Sequence, residues 1–203
     1  MRLKINKTGS FKSSKKYLEL IANSKVYDVA LNTPITYAAN LSNKLGNDVF
    51  LKREDMQPIF SFKIRGAYNK ITNLNIAQKK RGVLTASAGN HAQGVANACR
   101  KLKIPCLIVM PVTAPEIKVK AVKRLGAKVK LFGDNFDQAS KYAIQLANEK
   151  KIEFIEAFDD PFTIAGQGTV GKEILEADPL LDVIFVPVGG GGLLAGVGAW
   201  VAQ

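Results

Sequence analysis

One lysine of this chain stands where a reactive amine could be built. Lys63 lies in the stretch Ser61-Phe62-Lys63-Ile64-Arg65-Gly66-Ala67, between a short loop and a predicted helix, among mostly apolar and small residues. Burial disfavours the ammonium form of a lysine, whose ordinary pKa is about 10.4, and frees the lone pair to attack a carbonyl. Most lysines are solvated surface charges, so Lys63 indicates a nucleophile only together with other motifs.

A glycine loop is the second candidate for chemistry. Gly189 to Gly192 follow the apolar run Val183 to Val188 and precede the apolar stretch Leu193 to Val201. Successive glycine N–H groups and a helix N-terminus can hold a phosphate without a cationic side chain. The alternative is a flexible turn or linker, which the apolar flanks disfavour. No Lys-Ser or Lys-Thr pair follows the glycines, so the loop does not match a nucleotide fingerprint.

A loop of small residues between a predicted strand and a predicted helix is the third candidate. It runs Thr85-Ala86-Ser87-Ala88-Gly89-Asn90-His91-Ala92-Gln93-Gly94. Its exposed backbone at a helix start favours a bound carboxylate. The alternative for Asn90 is a purely structural N-cap. His91, the only histidine, is open to a direct acid or base role or to a positioning or capping role.

These motifs together resemble a known enzyme family. The stretch 52–69, Lys-Arg-Glu-Asp-Met-Gln-Pro-Ile-Phe-Ser-Phe-Lys-Ile-Arg-Gly-Ala-Tyr-Asn, is similar to the cofactor-lysine region of threonine dehydratases. The segments 87–94, 167–174 and 189–193 resemble three further motifs of that family, in order, and the likeness runs from about Thr33 to the end. Pro58 and Phe60 favour the biosynthetic type.

The resemblance implies a role for each matching residue. Lys63 would hold pyridoxal 5′-phosphate (PLP), Phe62 would pack beside its ring, and Asn90 would hydrogen-bond the ring hydroxyl. The loop that holds the cofactor phosphate would be Gly189, Gly190, Gly191, Gly192 and Leu193. The substrate carboxylate would be received by Ser87, Ala88, Gly89, Asn90 and His91.

The family's reaction is deamination of L-threonine to 2-oxobutanoate and ammonia in isoleucine biosynthesis, with L-serine to pyruvate as a further activity. The freed Lys63 amine would act as general base on the α-proton. Alternatives within the fold are serine racemase or dehydratase activity and β-replacement. A further alternative is an inactive truncated remnant.

Composition and charge limit the remaining function classes. The net charge of +12 comes from 29 basic and 17 acidic residues. The basic residues are scattered without aromatic interleaving or a known motif, so we expect no nucleic-acid partner. No stretch has the length and hydrophobicity of a membrane span. Cys99 and Cys106 are expected in the core, without a metal site.

These features predict a cytoplasmic enzyme. The basic, acid-free N-terminal stretch 1–16 leaves an organelle transit peptide open as an alternative.

Alternating strand and helix patterns predict an α/β fold with a parallel sheet. The predicted elements are strands 49–52, 82–86, 104–110, 127–132, 152–155 and 182–188, helices starting at Gly66, Asn90 and Pro115, and helices 136–150 and 161–176. The resemblance implies a two-domain fold-type II PLP enzyme. Its parts would be the N-terminal part of the large domain (1–81), a small mobile domain (82–155) and a return to the large domain (156–203).

The resemblance also predicts that the chain is C-terminally incomplete. The family pattern requires further large-domain strands, a small polar residue facing the pyridine nitrogen and a regulatory domain. None of these follows the glycine loop. We expect the full-length protein to be a homo-oligomer.

Overall fold

A computed structural model describes the backbone of residues 11–202 and the side chains of residues 15–202. The helices are α1 (Phe11–Ala22), α2 (Ala39–Leu45), α3 (Lys63–Thr72), α4 (Ile76–Arg81), α5 (Asn90–Leu102), α6 (Glu116–Arg124), α7 (Phe136–Lys150), α8 (Pro161–Ala177) and α9 (Gly192–Val201). The strands are β1 (Ile35–Tyr37), β2 (Phe50–Lys52), β3 (Val83–Ala86), β4 (Cys106–Met110), β5 (Lys128–Leu131) and β6 (Glu153–Phe154). Short 3₁₀ turns span Val26–Asp28 and Glu54–Met56.

A parallel sheet of four strands forms the α/β part of the chain, in the order β5-β4-β3-β6. Apolar residues of α3, α5 and α6 pack into one core cluster with Val83 and Ile108. In a second cluster, Ala139 and Ala143 of α7 pack against Leu84 and Val109. Neighbouring strand residues point to opposite faces, so the two clusters cover the two faces of the sheet. This confirms the predicted α/β class.

The predicted elements agree with the structure in most of the chain. Helix 136–150 and the helix start at Asn90 are confirmed to the residue. The helix predicted from Gly66 begins three residues earlier, at Lys63. An antiparallel ribbon of β1 and β2 also forms, of which only the second strand was predicted.

The prediction of a strand over residues 182–188 was wrong. The segment is irregular, and Phe185 and Val183 are 93% and 63% exposed. A strand is stable only when a neighbouring strand satisfies its backbone N–H and C=O groups. Within residues 11–202 no strand pairs with this segment, so its apolar pattern alone does not make it a strand.

Glycines allow three helices to cross at close range next to the sheet. A Cβ at Gly66 of α3 would lie 2.6 Å from the carbonyl oxygen of Thr163, and a Cβ at Gly166 of α8 would lie 2.7 Å from the Cα of Gly66. Where α8 meets α9, a Cβ at Gly196 would lie 2.5 Å from the carbonyl oxygen of Ile164 and 2.6 Å from the backbone nitrogen of Gly168. The backbones of α3, α8 and α9 therefore pack directly on one another.

Gly196→Ala should destabilise the chain by about 1–3 kcal/mol, because its new methyl group must push two backbones apart. The matched control is Gly198→Ala in the same helix, where an added Cβ meets nothing within 4 Å. This control should be neutral or stabilising by up to about 1 kcal/mol, since alanine favours the helix. Urea unfolding of both variants checks the prediction, and equal effects would contradict the close crossing.

Candidate active site

Lys63 is held at the first residue of α3 with its amine turned inward. The Oγ of Ser61 accepts a hydrogen bond from the Lys63 backbone N–H at 3.2 Å. The Nζ donates to the carbonyl oxygen of Ala157 at 2.6 Å and lies 5.5 Å from the centroid of the Phe62 ring. Burial lowers the pKa of the Lys63 amine below its ordinary value. Burial therefore makes the neutral, nucleophilic form of this lysine easier to reach than in an exposed lysine.

One short segment after β6 brings the sequence motifs together. The carbonyl oxygen of Ile155 bonds His91 Nε2 at 3.1 Å, and the carbonyl oxygen of Ala157 accepts from Lys63 Nζ. The next residue, Phe158, lies against the glycine loop: a Cβ at Gly190 would be 2.3 Å from its ring, and one at Gly192 would be 2.7 Å from its carbonyl oxygen. The segment Ile155–Phe158 thus touches all three candidate motifs. Sequence reasoning missed it, because its side chains carry no motif and its role depends on backbone carbonyls.

The second motif forms the turn between β3 and α5. Ser87 Oγ accepts the Gly89 N–H at 3.1 Å, which tightens the turn. Gly89 is the N-cap of α5 and Asn90 is its first residue, so the alternative that Asn90 is a structural N-cap was wrong. Asn90 is exposed and its side chain makes no hydrogen bond to any residue that the structure describes. The N–H groups of the first turn of α5 lack intrahelical acceptors and face an approaching anion.

His91 is buried beside this turn in a fixed tautomer. Because the carbonyl oxygen of Ile155 can only accept, His91 Nε2 carries the hydrogen. The buried Nδ1 has no partner among the described residues. Burial, helped by the charge of Lys63 and opposed by the Ile155 bond, lowers the pKa of His91 to about 4. At neutral pH, His91 is therefore neutral, with a lone pair at Nδ1 and its one N–H, at Nε2, bonded to Ile155.

The glycine loop forms the turn that leads into α9. Gly191 is the N-cap of α9 and has φ +88°, a value that glycine adopts without strain. Gly190 and Gly192 are small because Phe158 leaves no room for a side chain. The apolar stretch after the glycines is helical, whereas the strand predicted before them is absent. Leu193 and Phe62 pack their side chains in the apolar cluster of Val170, Ile174 and Val197.

A buried ion network connects the elements around Lys63. The guanidinium of Arg65, fully buried on α3, binds Glu54 through Nε at 2.8 Å and Nη2 at 2.7 Å. It binds Glu173 of α8 through Nη1 at 2.5 Å and Nη2 at 2.9 Å. Lys52 of β2 adds a contact to Glu173 at 2.6 Å. Two cations face two carboxylates, so the network is neutral and ties β2, the Glu54 turn, α3 and α8 together.

An open groove lies beside the candidate site. It has a volume of about 1520 Å³ and runs between the β1-β2 ribbon and the segment 178–187; Phe62 and Leu193 line it, whereas Lys63 and Asn90 do not. Its wall includes exposed apolar side chains such as Phe50 and Phe185. Within residues 11–202, no group of three or more His, Cys, Asp or Glu side chains could hold a metal ion. No helix in this range is long and apolar enough to cross a bilayer.

Comparison with known proteins decides the family. Residues 26–203 match the family described as pyridoxal-phosphate dependent enzyme. The chain belongs to this family. A threonine dehydratase of Nicotiana attenuata is 56% identical over 184 residues, which are 91% of this chain and 31% of that protein. The biosynthetic L-threonine dehydratase of Pasteurella multocida is 54% identical over 187 residues, covering 92% of this chain and 36% of the relative.

Solved structures place the fold in the same family. The processed form of threonine deaminase isoform 2 from Solanum lycopersicum aligns with a TM-score of 0.92 and 48% identity, over 95% of this chain and 53% of that one. Maize serine racemase aligns with a TM-score of 0.84 and 35% identity, over 94% of this chain and 56% of that one. The chain therefore spans about a third of the length of these curated relatives and about half of these structures.

Glu173→Gln should destabilise the chain by about 3–5 kcal/mol, because it leaves buried Arg65 and Lys52 with only one carboxylate. The control is Glu176→Gln on the same helix, which loses only the contact with Lys172 at a largely exposed carboxylate. That change should cost no more than about 1 kcal/mol. Denaturant unfolding at neutral pH compares them, and a similar loss in both variants would contradict the role of the network.

The stability of the native chain and that of Glu173→Gln should also depend differently on pH. Burial alone would raise the pKa of Glu173, but hydrogen bonds and charge from Arg65 and the bond from Lys52 outweigh it and lower that pKa. The resulting stability is fully present above the unfolded pKa of about 4.3 and is lost as the pH falls through the lower folded value. The unfolding free-energy difference between the native chain and Glu173→Gln should therefore stay constant above about pH 5 and shrink below it. A difference that grew on acidification would overturn this assignment.

Proposed function

We propose that Lys63 binds PLP covalently through its Nζ and that the glycine loop holds the cofactor phosphate. The contacts of Ile155–Phe158 support this most directly, since they connect the lysine amine, His91 and Gly190 within four residues of chain. A buried amine of lowered pKa is the group that an aldehyde requires, and backbone N–H groups at the start of α9 suit a phosphate. The residues present therefore fit the cofactor that gives the family its name.

The other motif residues take roles that follow from their geometry. The substrate carboxylate binds at the start of α5, within the segment 87–91. The backbone N–H groups of Asn90 and His91 can bind it, because those of Ser87 and Gly89 already donate to the Val109 carbonyl oxygen and to Ser87 Oγ. The side chain of Asn90, free of capping duty, bonds the ring hydroxyl, and Phe62 packs beside the ring. His91 offers only a lone pair at Nδ1, which repels a carboxylate, so its part in that loop is played by its backbone N–H.

The proposed reaction is deamination of L-threonine to 2-oxobutanoate and ammonia, the first step toward isoleucine, with L-serine as a second substrate. The threonine dehydratase names of the relatives support it, and the closer likeness to the tomato deaminase favours it over racemisation. When bound, the cofactor supplies the electron sink. Lys63 Nζ, displaced from the cofactor by the substrate amine, then removes the proton from the substrate Cα.

Organisation and location are further parts of this proposal. The parallel sheet lies within residues 83–154, which supports a small domain over 82–155 between the two large-domain parts 1–81 and 156–203. We place the protein in the cytoplasm as a homo-oligomer at full length, acting on free amino acids without nucleic-acid or membrane partners. Some relatives are named as chloroplastic or mitochondrial, so the compartment of this protein has to be determined by direct localisation.

Reductive trapping tests the cofactor site independently of turnover. The purified chain, incubated with equimolar PLP and reduced with borohydride, should carry the label on Lys63, as read by peptide mapping. Lys63→Ala should abolish this label, and Lys80→Ala, at an exposed lysine of α4, should leave it unchanged. The rate of labelling increases with pH as a lysine loses its proton. For Lys63 this increase should occur at a lower pH than for exposed lysines, because burial lowers the pKa of Lys63. Labelling spread evenly over surface lysines would refute the site.

Product analysis then separates the reactions that this fold can carry. The chain is incubated with L-threonine or L-serine, and the oxo acid, ammonia and D-serine are measured in one sample. Lys63-dependent 2-oxobutanoate and ammonia in equal amounts would support the dehydratase. Lys63-dependent D-serine in excess over pyruvate would favour the racemase instead. A Lys63 label without any product would support the alternative of a cofactor-binding remnant.

A further inference from the structure

The two cysteines of the chain meet at the far end of α5, away from Lys63. Cys99 lies in the last turns of α5 and Cys106 is the first residue of β4. The helix ends at Lys103 in the left-handed conformation, and the Ile104 N–H donates to the carbonyl oxygen of Cys99 at 2.9 Å. This turn brings the chain back on itself, so that both sulfurs pack in the same core cluster.

A small cavity opens beside this pair. It has a volume of about 150 Å³, and its lining includes both cysteines together with Arg100 and Lys103. Cys99 is 2% exposed, whereas Cys106 is partly exposed. The two lining cations are exposed and give the entrance a positive charge. The disulfide bond of an anionic reagent that reaches this entrance therefore meets Cys106 first.

The chemistry of the pair points to thiol exchange. No group of three or more His, Cys, Asp or Glu side chains forms in the described part of the chain, so the pair lacks the further ligands that zinc requires. Two adjacent thiols without a metal can form a disulfide when a second disulfide accepts their electrons.

We propose that Cys99 and Cys106 form a dithiol site that exchanges with small anionic disulfides and closes to an internal disulfide. The Cys106 thiolate attacks one sulfur of the reagent, which forms a mixed disulfide and releases one thiol. Cys99 then loses its proton, its sulfur attacks Cys106 Sγ, and the second thiol leaves. Two protein thiols are oxidised by two electrons, and the reagent is reduced to two thiols.

The order of attack follows from the two environments. A hydrogen bond that the Cys99 thiol donates to the Cys106 sulfur raises the pKa of Cys99, and burial raises it further, so the partly exposed Cys106 attacks first. Once Cys106 is a mixed disulfide, its sulfur carries no charge and is a weaker acceptor for the Cys99 thiol. The first cause of the raised pKa is then weakened, and Cys99 becomes the resolving residue.

Mass analysis of the purified chain with glutathione disulfide tests the proposal, without cofactor or substrate. After acid quenching, the native chain should be lighter by two hydrogens, and peptide mapping should join Cys99 to Cys106. Cys99→Ala should keep one glutathione on Cys106, and Cys106→Ala should remain unmodified. A native chain that accumulates the mixed disulfide without closing would overturn the proposal, and that result needs no variant to fold. If glutathione attached to Cys99 faster than to Cys106, the order of attack would be overturned.

The role of the cations has its own matched control. Arg100→Gln should slow exchange with glutathione disulfide by roughly two- to five-fold, the range expected for one exposed charge. It should leave exchange with the uncharged 2-hydroxyethyl disulfide unchanged. Lys101→Gln removes an exposed charge from the same helix but outside the cavity lining, and it should affect neither rate. Equal slowing by both substitutions would show that net charge, rather than this cavity, governs the reaction.

Discussion

The buried pairing of Arg65 with Glu54 and Glu173 is the constraint on which the rest of the site depends. Arg65 lies two residues after Lys63 on the same helix, and its two carboxylates come from the Glu54 turn and from α8. With Lys52, which contacts Glu173, the network holds four charges. Desolvating them is costly, and the cost is recovered only when every hydrogen bond forms in one geometry. The rotation and axial position of α3 are thereby specified, and with them the direction of the Lys63 side chain.

Close helix packing extends this constraint to the glycine loop. Because Gly66 and Gly166 bring α3 and α8 into backbone contact, and Gly168 and Gly196 do the same for α8 and α9, the three helices hold a common geometry. The start of α9 is the end of the glycine loop, so its N–H groups are positioned through α8 relative to Lys63. A rigid helix layer thus positions the groups that we propose hold the cofactor, while the parallel sheet carries the proposed substrate loop.

Local motifs and periodicity account for most of what could be predicted from the sequence. Strong helical patterns such as 136–150 and the small-residue turn before Asn90 depend on neighbours in sequence, and they were predicted correctly. The segment 182–188 has the composition of a strand, but strand formation depends on a partner elsewhere in the chain. The Ile155–Phe158 segment escaped prediction because backbone carbonyls leave no trace in residue type. The Arg65 network escaped it for a different reason: charged residues more than 100 positions apart carry no sign of being paired.

We propose that the amine of Lys63 and the N–H groups of the glycine loop hold the two ends of one PLP molecule. A crystal structure of the chain grown with PLP tests this most directly. We expect electron density continuous from Lys63 Nζ to the cofactor, with the phosphate against the backbone of Gly190 to Leu193. Density joined to another lysine, or a phosphate bound away from the start of α9, would contradict it.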